Sequence, residues 1–362
     1  MANIERKPFG VLKDGRKGDL FILTNANGMK AAFTNYGASV VGITAPDRAG
    51  HWKDVVLGYE SIEEYEKNDR CAGATCGRVA ARLGGGSFYL NGKKYHTSKN
   101  EDGVNTLHGG FCGFDRKLWN ADIIHGQLVF TYISPDGEEG FPGCLAVKIF
   151  CQLTDSNEIL FTYLARSSED TIVNLTNHIY FNLKGHGEGT VENHSLWVDS
   201  DYYAPCCGNP MPDGQILQVK GTPVDFRVPS RIGDCLNSGF GQISALKGLN
   251  HDFFINKNER GNFSRAAALY EEESGRVMEV FTTKPAIHLF TANNLTERRG
   301  KGGKSYRVHS GFCLEPGYAA NSMQFLHFPS PVLRKGEEYC HKTAFRFGAI
   351  SSGFEEWLFG RH

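Results

Sequence analysis

Charge of either sign is never in excess here: 39 Lys and Arg stand against 40 Asp and Glu in 362 residues, a net charge of −1. Nucleic acid and anionic membrane surfaces are therefore not expected partners, because binding them rests on a basic excess that neutralises phosphates. The longest basic cluster, ERRGKGGK (297–304), is spaced by glycines and reads as an exposed turn. The amino-terminal MANIERKPFG lacks the apolar run of a signal peptide. No window has the length and apolarity of a membrane-spanning helix, so a cytoplasmic protein without a membrane partner is expected. Ten cysteines occur but no two are spaced as CxxC, which removes the local signature of a zinc site and leaves reduced thiols as the simplest reading. Thirteen histidines include neither HxH nor HExxH. There is no GxGxxG and no alternation of strands with helices, which excludes a nucleotide-binding α/β fold. A fixed-period repeat is also missing, against a propeller. No low-complexity linker divides the chain, and one domain over residues 1–362 is expected.

Glycine, by contrast, is abundant at 43 residues. Turn signals recur about every ten positions, as in NANG (25–28), LNGKKY (90–95), SPDGEEG (134–140), NERGN (258–262) and EESGRV (272–277). Asn-Gly and Asp-Gly favour the positive φ that tight hairpins need. Between them lie LFILT (20–24), ASVVGI (38–43), DVVLGY (54–59), AVKIFCQL (146–153) and ILFTYLAR (159–166), rich in β-branched and aromatic residues. One short helix is expected over SIEEYEKN (61–68). The pattern predicts a mainly β protein, a large antiparallel β-sandwich.

Two strands carry polar residues on one face. In NLTNHIYFNLKGH (174–186), read at period two, Leu175, Ile179, Phe181 and Leu183 share one face with Asn177. Asn174, Thr176, His178, Tyr180 and Asn182 share the other. Wet strand faces usually carry Lys, Glu and Thr; a row of Asn, His and Tyr suits a cleft that binds hydroxyls. In HSGFCLEPGYAANS (309–322), Phe312 and Leu314 point one way and Cys313 and Glu315 the other. Pro316 is expected to end that strand, leaving Glu315 at its terminus among apolar neighbours, a setting for a general base.

Further candidates follow from chemistry and local context. In NTLHGGFCGFDRKLW (105–119), His108 precedes two residues without side chains and can be reached from outside. Arg78 and Arg82 of CGRVAARLGGGSF offer planar forks for vicinal hydroxyls or for a structural ion pair. Asp252 of LNHDFF can accept two sugar hydroxyl bonds or close an Asx turn, and His288 lies on a strand in TTKPAIHLFTANN. His108, His178 and Glu315 come from distant segments. A metal site and a cofactor-free acid–base site both remain open at this point.

The fragments GRVAARL, LHGG, NLTNHIYFNL, LNHDFF, GFCLEP and FPSPVLRKGEEY stand in the order found in galactose mutarotases (aldose 1-epimerases), and the chain resembles that family from about Gly37 to its end. The resemblance implies a mutarotase-like sandwich and cofactor-free, metal-free interconversion of α and β anomers of an aldohexose such as galactose or glucose. It implies Glu315 as general base, His178 as general acid and His108 as a second donor near the ring oxygen. It further implies Arg82 and Asp252 as hydroxyl-binding residues, Tyr180 as an orienting one, and Phe111 and Phe253 as candidates to stack on the sugar's C–H face, while His288 stands where the family often has glutamine. Two positions depart from the family pattern: Ala81 replaces the usual asparagine before Arg82, and PGYAANSM follows Glu315. The implied partner is a small-molecule aldose, with the protein a monomer or weak homodimer. Rival readings are a hexose-6-phosphate 1-epimerase, a catalytically silent sugar-binding protein and a metal-dependent isomerase. The carboxylate and imidazole are expected to face each other across a gap one pyranose wide.

Overall fold

The computed structural model describes residues 2–67, 70–206 and 208–360. Hairpin turns and alternating strands build three large antiparallel sheets, as the sandwich expectation requires. The amino-terminal sheet is a five-strand meander of Asn3–Val11, Lys17–Thr24, Lys30–Thr34, Ser39–Pro46 and Trp52–Asp54. A nine-stranded sheet runs from Asn120–Ile124 through Gln127–Ser134, Leu145–Leu153, Glu158–Ser167, Tyr339–Ala349, Arg276–Thr282, Ser264–Tyr270 and Ser195–Val198 to Ser230–Arg231. The third sheet, here called the cleft sheet, runs Tyr180–Phe181, Phe312–Gly317, Ala286–Phe290, Asn250–Phe254, Tyr202–Ala204 and Leu217–Gln218.

Period-two alternation decides which faces meet. Along Leu145–Leu153, residues 145, 147, 149, 151 and 153 are buried while Ala146 and Lys148 face solvent. Their inner face carries Phe130, Ile149, Phe161 and Phe345 into the main core. Phe33 of the amino-terminal sheet meets Phe161 edge-on at 6.1 Å, and Phe181 of the cleft sheet meets Phe345 at 5.1 Å. Both smaller sheets therefore pack on the nine-stranded one. A Phe161→Ala change in this shared core would cost about 3–5 kcal/mol.

Some expectations needed correction. DVVLGY is a strand only to Asp54; residues 55–59 are buried and extended, with one isolated bridge from Val56 to Phe181. Pro316 does not end its strand, which runs to Gly317 with Pro316 opposite Ile287. Its other neighbour, Tyr180–Phe181, pairs only with Phe312 and Cys313, so a residue without an N–H fits on that unpaired flank. The expected helix is present as Ile62–Glu66, with Asn68 outside the described residues. Three further short helices, Ile232–Leu236, Gly241–Leu246 and Phe354–Phe359, were not anticipated. Among the described residues no helix is long and apolar enough to cross a membrane.

Candidate active site

Register across the cleft sheet assembles the candidate residues. Asp252 pairs with His288, and His288 pairs with Glu315. Tyr180 pairs with Cys313, so the same register carried two residues further sets His178 beside Glu315. The intervening residues Phe253, Ile287, Leu289 and Leu314 point into the core. Asp252, His288, Glu315 and His178 therefore form one row on the opposite face, though they lie up to 137 positions apart in the chain.

His178, Glu315 and His288 of this row line a cleft of about 530 Å³, within the ~300–1,000 Å³ usual for small-molecule sites. His178 Nε2 lies 3.6 Å from Glu315 Oε1, with both side chains buried. The two candidate acid–base residues thus stand side by side, not across a gap one pyranose wide, because adjacent strands bring the two side chains together on one face. The His178 ring stacks on Tyr180 with centroids 4.8 Å apart, and its Nδ1 lies 3.5 Å from Cys313 Sγ. Burial lowers the proton affinity of His178, and the Glu315 charge works against that fall.

His108 enters from the opposite wall, its ring edge-on to His178 at 5.3 Å. It has φ 51°, followed by Gly109 at 93° and Gly110 at 110°. A Cβ on Gly109 would lie 1.9 Å from the Gly77 carbonyl oxygen, so the approach of this turn to the wall requires glycine. The Ala81 N–H donates to His108 Nδ1 at 3.3 Å, which leaves the proton of the neutral ring on Nε2. Burial, then the neighbouring His178 and Arg82, depress the His108 proton affinity well below the usual imidazole value. His108 is thus a neutral donor.

His288 is the opposite case. Its Nδ1 lies 2.9 Å from Asp252 Oδ1 and its Nε2 2.9 Å from Asn250 Oδ1. Two oxygen acceptors call for two N–H donors, the imidazolium form. Burial opposes that charge, but Asp252 and Glu315 together outweigh it and raise the His288 proton affinity. The second Asp252 oxygen accepts the Ala320 N–H at 2.9 Å. Asp252 is buried and sits behind His288, outside the lining of the cleft.

The two arginines part company. Arg78 is 1% exposed, and its guanidinium donates to Ser134 and to the carbonyls of Pro135, Pro142 and Gly143. It is a structural clamp. Arg82 lines the cleft and forks onto Glu101, with Nε 2.9 and 3.0 Å from the two oxygens and Nη2 at 2.7 Å. Tyr180 lines the cleft and donates its hydroxyl to the Arg70 carbonyl at 3.0 Å. Phe253 is a core residue, whereas Phe111 lines the cleft and is exposed.

Sequence reasoning missed several lining residues: Arg70, Asn100, Glu101, Asp115, Arg116, Asn250 and Tyr318. Asn250 was within reach, being two residues before Asp252 on the same strand face. Asp115 and Arg116 lie in the single 3-10 turn Phe114–Arg116 and the rest on loops, where no periodicity signals orientation. His178, Cys313 and Glu315 each offer one ligand atom, all within 4.8 Å of one another, and among the described residues are the set able to hold a metal ion.

The chain is similar to known proteins over most of its length. Residues 19–346 match the family described as aldose 1-epimerase. The chain is 37% identical over 348 residues to galactose mutarotase of Sus scrofa, covering 96% of this chain and 99% of that one. It is 32% identical over 337 residues to aldose 1-epimerase of Escherichia coli K12, covering 92% and 96%. The structure of an aldose epimerase homologue from C. elegans superposes with TM-score 0.84 at 26% identity, over 97% of this chain and 100% of that one. Galactose 1-epimerase from Lactobacillus acidophilus gives TM-score 0.82 at 27% identity, over 96% and 99%.

Proposed function

This chain belongs to the aldose 1-epimerase family, a family of isomerases, and from that membership we propose that it interconverts the α and β anomers of a free aldohexose such as galactose or glucose. The observation that carries the reading is the 3.6 Å spacing of His178 Nε2 and Glu315 Oε1 on the floor of a polar cleft.

Anomer exchange needs a proton taken from the anomeric hydroxyl while another is given to the departing ring oxygen. Both oxygens are bonded to the same carbon, so groups standing side by side can serve both. Glu315 accepts the hydroxyl proton, and the imidazolium form of His178, the minor form at neutral pH because burial lowers its proton affinity, protonates the ring oxygen. The ring opens, the aldehyde turns about its bond to C2, and closure on the other carbonyl face returns both protons. Burial makes His178 a readier proton donor than a solvated imidazolium. His108, neutral with its proton on Nε2, donates a hydrogen bond to the developing charge on the ring oxygen without competing for the transferred proton.

Arg82, held by Glu101, and Tyr180 orient the sugar. Asp252 and His288 act as a pair: with both ring nitrogens engaged, His288 positions by charge and shape, and Asp252 holds it charged. The free thiols Cys71, Cys76, Cys112, Cys313 and Cys340 support a reducing, cytoplasmic setting. A phosphorylated aldose is the second reading, favoured by Arg70 and Arg116 in the cleft lining; Arg116 sits 3.7 Å from Asp115, which offsets its charge. Polarimetry on freshly dissolved α-galactose, α-glucose, xylose and glucose 6-phosphate separates these. The first reading expects the neutral hexoses to be accelerated above the buffer rate; acceleration of glucose 6-phosphate alone would replace it with the second.

A further inference from the structure

We propose that the floor of the cleft also binds a thiophilic divalent cation, zinc above all, and that the ion held there inhibits the enzyme. The inhibition rests on the mutarotase reading above; the binding does not. Three donors of different chemistry converge: a ring nitrogen of His178, the Cys313 thiol and a Glu315 oxygen, all within 4.8 Å of one another and all buried. Cys313 and Glu315 stand two apart on the strand Phe312–Gly317, so the pleat aims both at one face. His178 meets them from the chain just ahead of Tyr180–Phe181, the strand paired with that one.

Anomer exchange employs Glu315 and His178 and leaves Cys313 without a task. Yet its thiol is fully buried and lies 3.5 Å from His178 Nδ1, while Nε2 of the same ring faces Glu315. Across a tetrahedral zinc ion, with Zn–S ~2.3 Å and Zn–N ~2.0–2.1 Å, sulfur and nitrogen stand roughly 3.5 Å apart. Thiol and imidazole are thus already at the span the ion requires, and Glu315 has to move inward by on the order of 1 Å. The fourth place is left to water from the cleft, which His178 and Glu315 line.

Thiolate and imidazole select zinc over Mg²⁺ and Ca²⁺, which seek oxygen ligands. As the zinc–sulfur bond forms, the Cys313 S–H bond breaks and its proton leaves to solvent, with no change of oxidation state. Thiolate and carboxylate then cancel the two charges of the ion, which makes its burial tolerable. An ion so seated takes the oxygen that accepts the anomeric proton and locks the imidazole that supplies the other.

The test measures mutarotation of α-D-galactose by polarimetry at free Zn²⁺ set by a metal buffer. Wild type, Cys313→Ser, Cys313→Ala and Cys340→Ser are each compared with their own zinc-free rate. Zinc should inhibit the wild type reversibly and in competition with galactose, and Mg²⁺ should not. Removing even a group that only supports a metal ligand costs about 10- to 100-fold in affinity. Both Cys313 variants should therefore raise the half-inhibiting zinc concentration at least about tenfold, whereas Cys340→Ser, at an exposed thiol, should not. Binding is read separately by adding Co²⁺ to the Cys112→Ser/Cys340→Ser protein, which should give a thiolate-to-cobalt absorption band that Glu315→Gln weakens. No inhibition by zinc, acceleration by zinc, equal inhibition in a folded Cys313 variant, or a cobalt protein without that band would overturn the inference. No acceleration of galactose or glucose by the zinc-free enzyme would overturn the mutarotase reading instead, and the cobalt band would then decide the site alone.

Discussion

Replacing Glu315 with glutamine isolates the proposed chemistry from the fold. The shape is nearly unchanged, and exchanging a buried carboxylate for a neutral amide removes a desolvation cost, so the thermal midpoint should hold or rise slightly. The amide cannot take the proton of the anomeric hydroxyl, and a positioned proton transfer contributes ~10² to 10⁴-fold. A second loss follows from the geometry. At 3.6 Å the attraction between the carboxylate and an imidazolium, when His178 carries its proton, is about 5 kcal/mol at the effective dielectric suited to protein sites. Glu315 is the charge that offsets burial at His178, so its removal also depletes the imidazolium that protonates the ring oxygen. Glu315→Gln should therefore lose at least about 10³-fold in kcat/KM. His178→Asn should lose ~10² to 10⁴-fold, and the double variant should be little worse than Glu315→Gln, because the two act as one unit. Polarimetry on fresh α-D-galactose, corrected for the buffer rate, gives the three numbers, and circular dichroism confirms the fold. A Glu315→Gln rate within threefold of wild type, or losses that multiply in the double variant, would refute the argument.

Three other perturbations test the surroundings. His288 binds its proton more tightly in the folded protein than in the unfolded chain, so its contribution to stability is full below about pH 6.5 and is lost as pH rises through its raised folded value. The thermal midpoint of wild type minus that of His288→Gln should thus be largest below about pH 6.5 and shrink as pH rises; a gap that grows with pH would contradict the imidazolium assignment. Gly109→Ala must place a methyl 1.9 Å from the Gly77 oxygen at φ 93°, costing about 1–3 kcal/mol of strain or more and displacing His108. Denaturant unfolding and polarimetry should show both losses, while Gly92→Ala, which has open space around it, should lose less stability and leave the rate intact. Incubation with EDTA followed by gel filtration should leave the rate unchanged; a rate restored only by added Zn²⁺ would instead assign the His178–Cys313–Glu315 set to a working metal.

The antiparallel fold was legible because its signals are local. The alternation in LAVKIFCQL and the Asn-Gly and Asp-Gly turns are properties of neighbouring residues, and each strand keeps them in the structure. The same pleat sorted His178 and Tyr180 from Ile179 and Phe181, and Glu315 from Leu314. It also separates Asp252 from Phe253, which removes Phe253 from any sugar contact. What period two does not report is distance along the sheet normal or the demand of a neighbour. Arg78 and Arg82 have similar sequence settings, but one is walled in by four residues' oxygens and the other meets Glu101 at the cleft.

By itself, then, the order of residues determined which side chains share a strand face, where the chain reverses, and that His108 is followed by two residues without side chains. Tertiary structure alone decided that His178 stands next to Glu315, that both nitrogens of His288 are taken, and that Asp252 lies behind it. The reason is physical: the pleat aims a side chain through its own backbone, whereas its neighbour across the sheet depends on pairing with a strand far away in the chain. That pairing is held in register by burial of the opposite face against the common core.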